Sequence, residues 1–349
     1  MPIIGRRGTA LASRPATRTP MTDTTADAVP EATPRLEHFP VSFFATVMGT
    51  AGLAIATHRL ELLLGTRQIA SLVLGGIAAG LFVAVAAFYA AKLVRHRKAV
   101  VAEWRHPVRL SFFPTISISL LLLSIIALPL DRAVAGVLWT AGAALHLTFS
   151  LVILSTWIGH RPFEPPHLNP AWFIPAVGNI IVPLAGVPLG HVEISWFFFS
   201  FGVMFWIVLL TLVFNRLIFH NPLPDRLLPT LMILVAPPAV GFLAYTKLDG
   251  GVLDGFARLF FYAGIGLFLL VATKIGQMAR IRFALSWWAY SFPLAALASA
   301  ASVFAEIIGG TPALVLFVAL YAVLAVVLAI LVVATMRAIA AGAICQPEH

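Results

Sequence analysis

Few residues in this 349-residue chain have the types and spacing that acid–base, nucleophilic or metal chemistry requires. His160 and His167 flank Pro162, Pro165 and Pro166, and with no third ligand nearby that pattern reads as a turn between apolar runs, not a metal site. Cys345 is the single cysteine, which rules out a disulfide within the chain and a cysteine metal centre, and leaves a solvent-facing thiol. His146 is the one ionisable side chain near the middle of an apolar run. It could serve a proton relay, but a lone histidine on such a helix more often packs through a hydrogen bond. Asn179 and Asn215 add polarity without charge, and Glu306 and Lys274 fall near run ends where they reach water. HExxH, GxSxG, a strand-associated GxGxxG and a Walker loop are all missing. The reading is therefore not an enzyme, with no cofactor and no metal. What remains is physical: an aromatic beside a proline in SWWAYSFPLAALA (Ser286 to Ala298), and basic residues clustered between apolar runs.

The elements that must position those residues follow from composition. Apolar residues make up 60% of the chain and charged ones 11%, with mean hydropathy +0.96, far outside the range of soluble domains. The chain reads as an all-α, multi-pass membrane protein. Its net charge of +9 would suggest nucleic acid in a soluble protein, but here the cations sit between spans and act as topology signals. Residues 1–36 are rich in Thr, Ala, Pro and Arg and too poor in large apolar side chains to order themselves, so they read as a disordered cytoplasmic tail. No signal-peptide pattern appears there, and Met21 offers an alternative start. Residues 37–340 form the membrane domain and 341–349 a short C-terminal tail.

Ten apolar runs occupy about 40–57, 69–94, 109–128, 133–157, 172–187, 192–215, 228–246, 256–276, 283–305 and 312–336, the fifth and seventh being interrupted by prolines. They are too long and too uniformly apolar for barrel strands, so each predicts a helix. With both termini cytoplasmic, thirteen Lys and Arg fall on the inside and five on the outside, the direction the positive-inside rule requires.

Prolines recur inside odd runs, at Pro114, Pro175, Pro237 and Pro293, spaced by 61, 62 and 56 residues, with Val47 at the matching place in the first run. One kinked and one straight helix, used five times as a hairpin, describes this period. The odd helices then run parallel, which suits a quasi-fivefold ring around a central pore. Any one proline could equally serve packing. Pro293 removes an N–H and should bend its helix at Ala289. Phe292 lies about 14 Å beyond Phe283, near the bilayer midplane, where it either packs a bundle or plugs a path. The Gly76/Gly80 GxxxG in the second run is a helix-contact signal.

Four segments, HPVRLSFFP (His106 to Pro114), NPAWFIPAVGN (Asn169 to Asn179), RLIFHNPLPDRLLPTLMILVAPPAVGF (Arg216 to Phe242) and WWAYSFPLAA, resemble the tellurite-resistance and dicarboxylate transporter family. That family includes bacterial TehA, fungal malate and sulfite transporters and the plant slow anion channels. The resemblance runs from Phe39 to about Arg337. It implies ten helices as five hairpins around a pore, and a homotrimer with one pore per protomer. Phe292 matches the aromatic that closes the pore in this family, and Arg109 a basic position at its cytoplasmic mouth. Val47 departs from a proline that the family often carries in the first inner helix.

Two readings of function stay open at this point. One is a pore for small inorganic anions in the cell membrane, gated by Phe292, with an anion-attracting rim at Arg109. The other is a proton-coupled carrier for malate-like C4-dicarboxylates or sulfite. An intramembrane enzyme is the distant third.

Overall fold

The computed structural model describes residues 35–159 and 163–346. The expectations for most of the N-terminal tail, for His160, Arg161 and Pro162, and for the last three residues of the C-terminal tail lie outside the described residues. Among the described residues every regular element is a helix. In order, the elements are α1 (Phe44–Leu64), α2 (Ile69–Arg95), α3 (Arg97–Arg105), α4 (Thr115–Ala127), α5 (Arg132–Ile158), α6 (Phe173–Val177), α7 (Pro183–Gly186), α8 (Val192–Phe219), α9 (Ala236–Leu248), α10 (Gly255–Ala272), α11 (Ile275–Met278), α12 (Ser291–Ile308) and α13 (Thr311–Ala340).

Among the described residues nine helical stretches are long and apolar enough to cross a membrane. Of the ten runs expected, the fifth, read as interrupted by prolines, is the one too short to count among them. It covers only Pro170–Gly186 and is broken into a 3-10 turn (Pro170–Trp172), α6, a second 3-10 turn (Gly178–Ile181) and α7. Pro175 and Pro183 each remove a backbone donor, so no continuous α-helix can run through. The 3-10 turns rise faster than an α-helix, and these 17 residues still extend about 28 Å.

Each odd span opens with a 3-10 segment before it becomes α-helical: Val41–Phe43, Arg109–Phe112, Pro170–Trp172, Asp225–Val235 and Leu285–Tyr290. The expected mid-helix kink at Pro293 is therefore corrected. Pro293 is the third residue of α12, just past the 3-10 stretch, in a first turn where a missing N–H costs little. Pro114 directly precedes α4, and Pro237 is the second residue of α9. These prolines mark the change of helix type instead of bending one type.

Turn chemistry joins the odd spans to the even ones. Gly65 ends α1 with φ of +63°, and Gly309 and Gly310 join α12 to α13 at +68° and +87°, backbone conformations that L side chains rarely adopt. Asp131 caps α5 by accepting from the N–H groups of Ala133 and Val134 at 2.8 and 3.1 Å. Asp254 caps α10, accepting from the Ala257 N–H at 2.8 Å and the Tyr245 hydroxyl at 2.7 Å. Those bonds hold its carboxyl below the usual range, so this cap persists until pH falls through that lowered value.

Burial separates the two helix sets. The most apolar windows of the four long odd spans are 61–89% buried, whereas those of the five even spans are 22–39% buried. The even helices present Leu, Val, Ile and Phe outward, as a bilayer demands. The odd spans contact each other in closed order: α1 packs on α4, α4 on the fifth span, the fifth span on α9, α9 on α12, and α12 back on α1. Each also packs on the even helix that follows it in sequence, which is the hairpin arrangement.

Candidate functional site

Closing five helices on one another leaves an interior that glycines and alanines keep narrow. Gly52 of α1 meets α12 so closely that a methyl there would come within 2.7 Å of Ala295 Cβ. Gly49 meets Ser291 in the same way, at 2.3 Å from its hydroxyl oxygen. The Trp288 indole N–H donates to Thr335 Oγ1 at 2.9 Å, which ties the 3-10 entry of the last odd span to α13. Phe292 is set by these contacts, and its ring carbon Cδ2 lies 3.9 Å from where a Gly52 side chain would begin.

Two cavities lie along this interior. The first, about 410 Å³, is lined by residues of all five odd spans, among them Met48, Arg109, Ile174, Arg226, Pro237 and Phe292. The second, about 580 Å³, is lined by Gly52, Arg59, Leu122, Leu184, Lys247 and Phe292 among others. Only Val240 and Phe292 line both. Val240 is 4% exposed, whereas Phe292 is half-buried, so Phe292 is the larger and more accessible group between the two spaces.

Both cavities have mainly apolar walls that include cations, Arg109 and Arg226 in the first and Arg59, Arg132 and Lys247 in the second. Glu103 is the one carboxylate in the first lining, and it is neutralised. Lys92 Nζ lies 2.8 Å from its Oε2, with both side chains under 5% exposed. The Tyr89 hydroxyl and the Val41 N–H also donate to Glu103, and Lys92 donates to the Phe39 carbonyl. His106 Nδ1 accepts from the N–H groups of Val108 and Arg109, fixing the turn that carries Arg109 to the cavity.

The family model described as voltage-dependent anion channel matches residues 38–336, most of the chain. The chain belongs to the voltage-dependent anion channel family. Among its relatives, the S-type anion channel SLAH2 of Arabidopsis thaliana is 31% identical over 293 residues, 82% of this chain and 56% of the plant protein. The transporter MJ0762 of Methanocaldococcus jannaschii is 29% identical, covering 74% of this chain and 82% of its own length. The tellurite resistance protein TehA homolog of Haemophilus influenzae is 28% identical, covering 76% and 81%. The chain thus spans little more than half of the plant channel but most of the two microbial relatives.

Within this family member, the residues singled out in sequence do not all fall in one place. Phe292, Pro293, Pro237 and Arg109 line the first cavity, whereas Pro114 and Pro175 do not, although their chain neighbours Thr115 and Ile174 do. His146 lines neither cavity. It is fully buried on α5, with Nδ1 2.9 Å from Ser117 Oγ. Because that hydroxyl donates its one hydrogen to the Pro114 carbonyl at 2.8 Å, His146 Nδ1 is the donor of the pair. Its Nε2 packs against Gly178, where a methyl would come within 2.7 Å. One turn along, Ser150 Oγ donates to the Pro175 carbonyl and accepts from Asn179 Nδ2 at 3.0 Å. These polar groups tie the broken fifth span to α5 and, through His146, to α4, and they serve the Pro175 carbonyl where α6 gives way to a 3-10 turn.

The Lys92–Glu103 pair and the cavity that Lys247 lines are features of the site that sequence reasoning missed. Lys92 and Glu103 are eleven residues apart across a helix break at His96, a separation that no helical periodicity marks. Lys247 and Arg59 looked like topology signals, and only the closing of α1 against α9 through α12 brings both to one cavity.

Proposed function

We propose that the chain is an anion channel in which small monovalent anions move along the axis between the two cavities and Phe292 holds the path closed. The observation that carries this reading is that two cation-lined, mainly apolar cavities share only Phe292 and Val240. A cation at each mouth raises the local anion concentration, and an apolar constriction strips hydration without returning charge, a barrier that keeps the resting pore shut. The similarity to S-type anion channels supports the same substrate class. A proton-coupled carrier for C4-dicarboxylates or sulfite finds less support. His58, Glu103 and His106 each line one cavity alone, the two residues common to both, Val240 and Phe292, carry no titratable group, and the buried His146 faces Ser117 and Gly178.

In the same reading both termini are cytoplasmic, the Arg109 mouth faces the cytoplasm across the cell membrane, and the protein works as a homotrimer with one pore per protomer. An outer helix contact would use Gly76 and Gly80, which face open space in the single chain.

The test is flux through purified protein in liposomes. Phe292→Ala should raise chloride and nitrate conductance at least tenfold over the parent, with Phe292→Leu between the two. Reversal potentials should follow the anion gradient. A well-folded alanine variant as closed as the parent would place the gate elsewhere, and reversal potentials that track the cation gradient would overturn the anion reading.

A further inference from the structure

The membrane end that holds Lys247 is acidic in composition, yet its cavity is not. Glu61 is spent on the N–H groups of Ala70 and Ser71 at 2.8 and 3.2 Å, and Asp131 and Asp254 cap helices. Glu306, 72% exposed, holds Arg59 at 3.4 Å from the rim. No carboxylate lines the cavity, whereas His58, Arg59, Arg132 and Lys247 do, together with Gln68 and Ser299. Arg132 is turned to the Pro188 carbonyl at 2.5 Å. Lys247 is half-buried, and among the described residues no carboxylate lies within ion-pair distance of it. A half-buried ammonium with no ion pair among the described residues, beside a guanidinium with which it shares the influence of one exposed glutamate, is an arrangement that an anion completes.

We propose that this cavity is a resident anion-binding site. Lys247 supplies the direct charge and Arg59 a second donor set, for a small carboxylate or inorganic oxyanion. The walls set the size limit. At about 580 Å³, with Leu122, Leu184 and Leu243 around the cations, the space admits an anion of a few heavy atoms with part of its hydration shell, and it ends on Phe292. Arg59 divides its charge between Glu306 and the cavity, so Glu306 weakens the site and its removal strengthens it. That opposite sign separates a built site from general positive potential.

The proposal extends the anion-path reading to a site of defined residues, and its test reads binding without flux, so the two can fail separately. The thermal midpoint of the purified full chain in detergent is followed against sodium nitrate and sodium malate, with ionic strength held constant by a bulky sulfonate buffer salt. The parent midpoint should rise and saturate. Lys247→Gln should weaken the apparent affinity about tenfold, the loss of one charge-assisted hydrogen bond. Lys247→Arg should retain it, and Glu306→Gln should tighten it severalfold. Arg258→Gln, which removes an exposed cation of α10 outside the cavity lining, should leave it unchanged. A parent that shows no saturable shift, or a Lys247→Gln curve that overlays the parent, overturns the site. If Lys247→Gln does not fold, Glu306→Gln decides, because an exposed glutamate is dispensable for folding and a site without tightening there is not this one.

Discussion

Glu103 shows how one carboxylate can line the first cavity without making it acidic. Its charge is matched by Lys92 at 2.8 Å, and its remaining lone pairs accept from Val41 and Tyr89, so the first cavity meets a neutral pair instead of an acid. Burial of both partners makes the pair a conditional asset: intact it is satisfied, halved it strands a charge. Glu103→Gln keeps an acceptor for the Val41 N–H and removes only the charge, leaving Lys92 uncompensated. The expected cost is about 3 to 5 kcal/mol of stability, read as a lowered thermal midpoint. A midpoint equal to the parent's would mean that water reaches Lys92 in the folded protein. In the sequence Lys92 was legible only as one of several basic residues at a span end, because the break at His96 that folds α3 back onto α2 has no proline or glycine to announce it.

At the scale of elements, the hairpin order was written in hydropathy. The alternation of buried and lipid-facing helices follows from where prolines and small residues accumulate. The 3-10 entries were not legible, since a 3-10 turn and an α turn draw on the same residue types and the choice is made by neighbours packing on the first turn. The fifth span was legible as interrupted, but its four-part form depends on Ser150 of α5 reaching the Pro175 carbonyl and on Asn179 turning back to the Ala176 carbonyl of its own span. The contact between α1 and α12 is where packing most directly sets the candidate gate. Gly52→Ala forces a methyl to within 2.7 Å of Ala295 Cβ, and the two helices must separate. Overpacking of this kind costs about 1 to 3 kcal/mol. Adding Ala295→Gly to the same chain should restore most of the lost midpoint, as the methyl then finds the space that its partner vacated. A double variant no more stable than Gly52→Ala alone would show that the strain lies elsewhere.

Taken whole, the molecule is electrically lopsided. Outside the N-terminal tail and the last residues, the Arg109 end carries thirteen Lys and Arg against four Asp and Glu, and the Lys247 end five against six. The sequence exposed the cations as topology signals but not which of them the fold turns inward. Arg109 and Arg226 reach the first cavity, whereas others of the same end, such as Arg95 and Arg97, stay on the surface. A surface field of this kind enriches anions at one mouth more than at the other, so anion current entering from the Arg109 end should exceed the reverse current at equal and opposite voltage. The field decays over about 10 Å at 0.1 M salt and about 3 Å at 1 M, so the asymmetry should be largest in dilute salt and fade in concentrated salt. Measured on the Phe292→Ala background, where current is large, Arg109→Ala should reduce the rectification at low salt and change little at high salt. Rectification that persists undiminished at 1 M would assign it to the shape of the constriction instead of to charge. Equal rectification with and without Arg109 in dilute salt would leave that residue a role in membrane topology alone.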